Sequence, residues 1–472
     1  MQVELGLPSI GGKDSMSGTF EQINVPPMLM AFGITTVDAG RVISTDFKKA
    51  GHSIYLVRHT PLENHMPDTG ALKRNFDFVS SAIESGKIVS GYAVGFGGVA
   101  EALAKMSFGN GIGADVKVDE ATLFDNSYGS IVVESTEPLD FPAAELLGHT
   151  EAEGALTING EKMPLEELYR ANTERFATVY PDKGINHAPV MEAMPAPRSF
   201  TYPGEAVERP EVFIPVFPGS NCDYDTAKAF RRAGAEVRSE VFCNLTAEAI
   251  FDSIRRMKEA IAACHIFVLC GGFSAGDEPD GSGKFIANVL NNKDISEEIH
   301  RLLDRGGLIL GICNGFQALV KSGLLPYGRL GLVTRESPTL FRNDINRHVS
   351  QIVSTRVATT NSPWLSSFSV GDIHSIAVSH GEGKFVADGE TMDKLVQNGQ
   401  VATQYVDMYG RATLDVDFNP NGSVCAVEGI TSPDGRVFGK MGHSERTGAG
   451  LYRNVPGEYD MKLFRSAVEY FK

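Results

Sequence analysis

The sequence predicts an α/β protein of two domains, the second built on a parallel or mixed sheet covered by helices. Three observations carry this expectation. Apolar strand-like runs alternate with helical patterns beyond residue 211, which predicts right-handed crossovers between parallel strands. A stretch with four prolines and little periodicity, 194–211, reads as an interdomain linker. At 472 residues the chain exceeds the size at which one hydrophobic core stops growing.

Taken in order, residues 1–193 read as a mixed α and β domain. Met28 to Val37 and Ser53 to Val57 have strand character, and Gly98 to Met106 reads as a helix entered through glycines. Ala155 to Met163 predicts a hairpin turning at Asn159-Gly160, two residues that tolerate positive φ, with a helix after it towards Arg175. The abrupt start at Met1-Gln2-Val3 predicts a fragment whose upstream part is missing. Residues 212–472 form the second domain. Val212 to Phe217, Ile266 to Cys270 and Leu308 to Cys313 are strand-like, with helices around Thr226 to Gly234, Ala247 to Cys264 and Ser296 to Asp304. From Leu332 to Val437 turn signals such as Asn421-Gly422 and Pro433-Asp434-Gly435 predict extra sheet elements.

Composition excludes several functions. With 42% hydrophobic and 22% charged residues the chain reads as soluble, and no apolar run approaches the roughly 20 residues of a membrane helix. A formal charge of -16 argues against a nucleic-acid binder, which concentrates Lys and Arg against phosphates. The six cysteines, Cys222, Cys243, Cys264, Cys270, Cys313 and Cys425, include no CxxC pair, so neither a disulfide framework nor a zinc site is expected, and the compartment reads as cytoplasmic.

The chemistry gathers at Gly311-Ile312-Cys313-Asn314-Gly315. A strand running into a glycine-flanked cysteine and at once into a helix has the form of a nucleophile elbow with Cys for Ser. The helix N-terminus favours the thiolate, the form that attacks an acyl carbon. A buried structural thiol is the plainer alternative, and it is the expectation for Cys222, Cys264 and Cys270. A base and a group to orient it are offered by His443 and Glu445, which project to one side of an extended chain; a solvated loop is the alternative. The glycine-rich segment Cys270 to Asp277, with Gly271, Gly272 and Phe273, offers backbone donors for an oxyanion hole, with the Asn314 amide as the second donor; an ordinary tight turn is the alternative.

Together with Pro218-Gly219-Ser220-Asn221-Cys222-Asp223 and His380-Gly381-Glu382-Gly383, these segments resemble, in order, the class I glutamine amidotransferase domain of the phosphoribosylformylglycinamidine synthase family. Segments 11–16, 26–38 and 97–108 are similar to the end of the second synthetase half of its large single-chain form, a domain like the C-terminal part of aminoimidazole ribonucleotide synthetases. The resemblance implies a flavodoxin-like glutaminase with Cys313 as nucleophile, His443 as base and then acid, and Glu445 as its orienter. It implies Gly271, Gly272, Phe273, Asn314, Gln317 and His380 around glutamine, with Glu382 lining the pocket or bracing its loop. L-glutamine would supply ammonia for the ATP- and magnesium-dependent conversion of formylglycinamide ribonucleotide in de novo purine biosynthesis, with no cofactor needed for the glutaminase step. Lys13 and Asp14 are the cofactor-binding candidates, and Asp38 and Asp46 carry less weight; the metal ligands stay unassigned.

Two departures qualify this. Ser444 stands where many amidotransferases have proline, which predicts a local loop difference. Ala93 and Gly95, within Tyr92 to Gly98, stand where the family places Asp and Ser, which removes an oxygen ligand suited to magnesium. The rival readings are a non-catalytic docking module and another elbow-cysteine amidohydrolase.

Overall fold

Two sheets organise the chain, one in each of two units, Met1–Ala177 and Thr178–Lys472. The computed structural model describes residues 2–15, 18–178, 190, 199–274, 283–453 and 455–472. Part of the expected linker, 194–198, and the glycine-rich loop from Ala275 to Asp277 lie outside the described residues.

In the first unit a seven-stranded sheet runs in the order 161–164, 155–158, 113–116, 144–151, 53–57, 131–135, 88–93. It is antiparallel except where 155–158 pairs with 113–116. The helix Gly98–Phe108 buries Val99, Leu103 and Met106 against Ile54, Leu56 and Val132, an i, i+4, i+7 apolar stripe. The hairpin turns as expected at Asn159 (φ 54°) and Gly160 (φ 89°). Lys13 and Asp14 lie exposed on the strand Ser9–Ser15. Asp38 caps a short helix by accepting from Gly40 N, and Asp46 accepts from Ser44 Oγ.

The second unit carries a nine-stranded sheet. Its strands are β1 (Glu211–Val216), β2 (Glu236–Val241), β3 (Ile266–Leu269), β4 (Leu308–Ile312), β5 (Val349–Val357), β6 (Ile373–His380), β7 (Val401–Tyr405), β8 (Val427–Thr431) and β9 (Val437–Lys440). The order is β2-β1-β3-β4-β9-β8-β7-β5-β6. Neighbours from β2 to β9 pair in parallel, and from β9 to β6 antiparallel. β3 and β4 are buried at every residue, as a sheet covered on both faces requires. β2 has no counterpart among the sequence-predicted strands. It is an exposed edge strand whose Glu and Arg residues hide the apolar alternation.

The proline-rich stretch is not a free tether where it is described. Val207 N donates to Phe471 O, and Tyr202 packs edge-on against Phe471. Proline removes helical and strand periodicity from a packed strap as readily as from a linker.

Candidate active site

β4 and β9 run side by side at the centre of the sheet and deliver the site from their C-terminal ends. β4 ends in Cys313, whose N–H donates to Lys440 O at 2.9 Å and whose carbonyl accepts from Gln317 N at 3.0 Å, opening the helix Asn314–Ser322. Cys313 takes φ 52°, ψ -106°, a conformation costing a non-glycine residue about 1–3 kcal/mol. The flanking glycines allow the turn to close. A Cβ on Gly311 would meet Leu319 Cδ1 at 2.6 Å, and one on Gly315 would meet the Leu269 carbonyl at 2.0 Å.

β9 leads directly to His443 and Glu445, both buried. His443 Nδ1–H donates to Glu445 Oε1 at 2.6 Å, which leaves Nε2 for the Cys313 thiol. A Cβ at Gly271 would lie 2.8 Å from His443 Cε1 and 3.5 Å from Cys313 Cβ, so these two side chains come together over this glycine. Burial works against a charged His443. The Glu445 carboxylate, then contacts with the Cys222 and Cys313 thiols, prevail and raise its pKa well above the ordinary value. Burial likewise opposes ionisation of Glu445, but its imidazole partner holds its pKa below the usual carboxylate range.

The remaining predicted residues frame this pair. Gly271 accepts backbone bonds from Asn221 and Cys222, while Phe273 N donates to Gly219 O and the half-exposed Phe273 ring lies at the surface. Gly272, at φ 148°, would press a Cβ to 2.5 Å from Gly219 O. The Asn314 side chain accepts from Ser274 N at 3.3 Å and donates to Gln317 Oε1, and Gln317 Nε2 donates to Glu382 O at 2.5 Å. These two amides therefore tie the glycine loop, the helix and the 380–383 turn together. His380 is buried with neither ring nitrogen hydrogen-bonded among the described residues, and burial, then the nearby His443, push its pKa down to about 3. Cys264 and Cys270 are inert by burial, which pushes each thiol up to about 12.

Five groups at the site carried no functional weight in the sequence. Lys440 is wholly buried, donating to Gly442 O at 3.0 Å and to Ser444 Oγ at 2.9 Å, and paired with Glu428 at 3.1 Å. Ser444 is therefore more than a local loop difference, because its hydroxyl helps to satisfy a buried cation. Cys222 is buried as expected of packing, yet its Sγ lies 3.9 Å from His443 Nδ1 and accepts from Arg446 Nη2 at 3.0 Å. The signal was thin. A lysine ending a short strand reads as solvated, and no spacing rule joins Cys222 to a histidine 221 residues away.

A central parallel sheet with a cysteine elbow at the end of one strand is the architecture of the flavodoxin-like, class I glutamine amidotransferases. Residues 209–471 match the CobB/CobQ-like glutamine amidotransferase domain, and the chain belongs to that family. Among its relatives is phosphoribosylformylglycinamidine synthase subunit PurQ of Gloeobacter violaceus, 31% identical over 257 residues, or 54% of this chain and 94% of the relative. The subunit of the same name from Chlorobaculum tepidum is 33% identical over 255 residues, covering 54% and 94%. The solved structure of PurLQS from Thermotoga maritima aligns at a TM-score of 0.41 with 28% identity, covering 56% of this chain and all of that one.

Proposed function

We propose that residues 212–472 hydrolyse L-glutamine and supply its ammonia to the ATP-dependent conversion of formylglycinamide ribonucleotide to formylglycinamidine ribonucleotide. The observation that carries this reading is the Cys313 elbow at φ 52° beside a buried His443–Glu445 hydrogen bond of 2.6 Å. The Cys313 thiolate attacks the side-chain carboxamide carbon of glutamine, forming the S–C bond. His443 gives its proton to the departing nitrogen, the C–N bond breaks and ammonia leaves. Water, deprotonated by His443, then releases glutamate from the γ-glutamyl thioester. Glu445 fixes the Nδ1–H tautomer throughout and balances the imidazolium charge. The helix N-terminus after Cys313 favours the thiolate, and the Gly271–Gly272 backbone with the Asn314 amide is assigned to the oxyanion, the Phe273 N–H being bonded to Gly219 O instead.

The amide-replacing step is assigned to a synthetase portion like that of the large single-chain enzymes, of which residues 1–193 resemble a later part. ATP with magnesium supplies activation of the formyl oxygen there. Among its described residues the first unit presents no donor cluster that fits that group. Among the described residues, the one cluster of three possible metal donors lies in the second unit, Ala93 and Gly95 bring no oxygen ligand, and Glu101 is engaged by Gly97 N and Lys105.

Ammonia release from L-glutamine by the purified chain, beside Cys313→Ala and with mass spectrometry for a glutamyl adduct, tests the glutaminase. Release and adduct in the wild type, both lost in the variant, are expected. A folded wild type that gives neither, alone or with the synthetase portion added, would sink the reading.

A further inference from the structure

The glutaminase chemistry leaves a buried thiol at the site unused. Cys222 precedes the helix Asp223–Ala233 and is held in place by its own N–H and that of Asn221, both bonded to Gly271 O. Its Sγ lies 3.9 Å from Nδ1 of His443. The Cys222 sulfur, His443 Nδ1 and a Glu445 carboxylate oxygen all lie within 4.8 Å of one another and all three residues are buried. Independently, Glu445 Oε2 is buried without a hydrogen-bond partner among the described residues, a cost that a bound cation removes. A cavity of about 490 Å³ lined by Ser444 and Glu445 lies beside this cluster.

Thiolate, imidazole and carboxylate together are the donor set of a borderline-soft divalent ion, and Zn²⁺ takes them at about 2.0–2.3 Å in tetrahedral geometry, with donors about 3.5 Å apart. The S···N separation of 3.9 Å is already close to this, and the N···O separation of 2.6 Å has to open by roughly 1 Å. The geometry points to an inhibitory Zn²⁺ site formed by Cys222, His443 and Glu445 at the Nδ1 edge of the imidazole. On binding, the ion replaces the Cys222 thiol proton and the His443 Nδ1 proton, both released to solvent, and a water completes the tetrahedron. Arg446, partly buried, moves off the sulfur. His443 then loses its bond to Glu445 and can no longer cycle through the imidazolium, so glutamine turnover stops. The inhibitory consequence rests on the glutaminase reading; the metal site itself does not.

The test separates the two. Co²⁺ is titrated into the full chain, its Cys313→Ala variant, and Cys222→Ala and Cys222→Ser variants, following the thiolate-to-cobalt charge-transfer absorption and its displacement by Zn²⁺. The band is expected to persist in Cys313→Ala and to vanish in both Cys222 variants, each checked for folding by the fluorescence of Trp364, the sole tryptophan. Half-inhibition of glutamine hydrolysis in the Cys222 variants, relative to each one's own metal-free rate, should need about ten-fold more Zn²⁺ or beyond. A band that survives loss of Cys222 but disappears with Cys313 would make the nucleophile the ligand and overturn the proposal, as would the absence of any band. If the chain hydrolyses no glutamine, the absorption arms still decide the metal site.

Discussion

The Nζ of Lys440 lies 3.1 Å from Oε1 of Glu428, and neither side chain touches solvent. That carboxylate also accepts from Gly442 N at 2.6 Å and from the Thr403 hydroxyl, while the ammonium holds Gly442 O and the Ser444 hydroxyl. The pair thus clamps both sides of His443. Removing one member strands a buried charge, which costs about 3–5 kcal/mol. Lys440→Met should lower stability by that order, and adding Glu428→Gln should recover part of it. Trp364, buried in the second unit, reports the transition in a denaturant titration. Equal stability of wild type and Lys440→Met would refute the clamp.

The same network gives Ser444 a defined effect. Ser444→Ala removes one of three acceptors from a buried ammonium, at a cost of about 1–3 kcal/mol. Glutamine hydrolysis should fall through kcat more than KM, because the dyad and not the substrate contact is disturbed. Steady-state kinetics of this variant check the split.

Glu445→Gln should depress hydrolysis by about 10²–10⁴-fold, as loss of the orienting carboxylate does in a serine triad. The pH profile carries the sign. Burial alone lowers the His443 pKa, and the Glu445 charge more than reverses this. Without that charge the imidazolium is lost at lower pH, so the alkaline limb of kcat/KM moves to the acid side. A limb that stays in place would remove Glu445 from this role.

Two glycines separate site from scaffold. Gly271→Ala places a Cβ against the His443 and Cys222 side chains and should reduce turnover about 100-fold with the fold retained. Gly315→Ala drives a Cβ into the Leu269 carbonyl, and since backbone cannot step aside it should destabilise by about 1–3 kcal/mol or more. Circular dichroism and ammonia release on both variants distinguish the outcomes.

His380 supplies a prediction on acid stability. Its folded pKa of about 3 lies below the unfolded value near 6.5, so as pH falls below about 6.5 the unfolded chain takes up a proton that the folded chain refuses. Stability then drops by roughly 1.4 kcal/mol per pH unit from this residue until the pH approaches 3. His380→Gln should flatten that slope between about pH 6 and 4. Parallel slopes for the two proteins would mean that the imidazole titrates normally.

Much of this was written locally. The buried runs Ile266–Leu269 and Leu308–Ile312 announced central strands because a sheet covered on both faces admits only apolar residues. The elbow was legible because a sharp strand-to-helix turn demands glycines at fixed offsets, and His443 with Glu445 because two residues apart on extended chain share a side. The edge strand Glu236–Val241 was illegible, since one solvated face mixes charge into its pattern.

By itself, then, the sequence determined the fold class, the strand-to-helix corner at Cys313 and the His-x-Glu pair, all properties of residues near one another in the chain. Only tertiary structure decided that Cys222 reaches the His443 edge, that Lys440 is buried beside Glu428, and that Asn314 and Gln317 brace loops 40 and 65 residues away. Those relationships depend on which strands lie side by side. Strand order is set by burial summed over the whole sheet, a quantity that no short stretch of sequence carries.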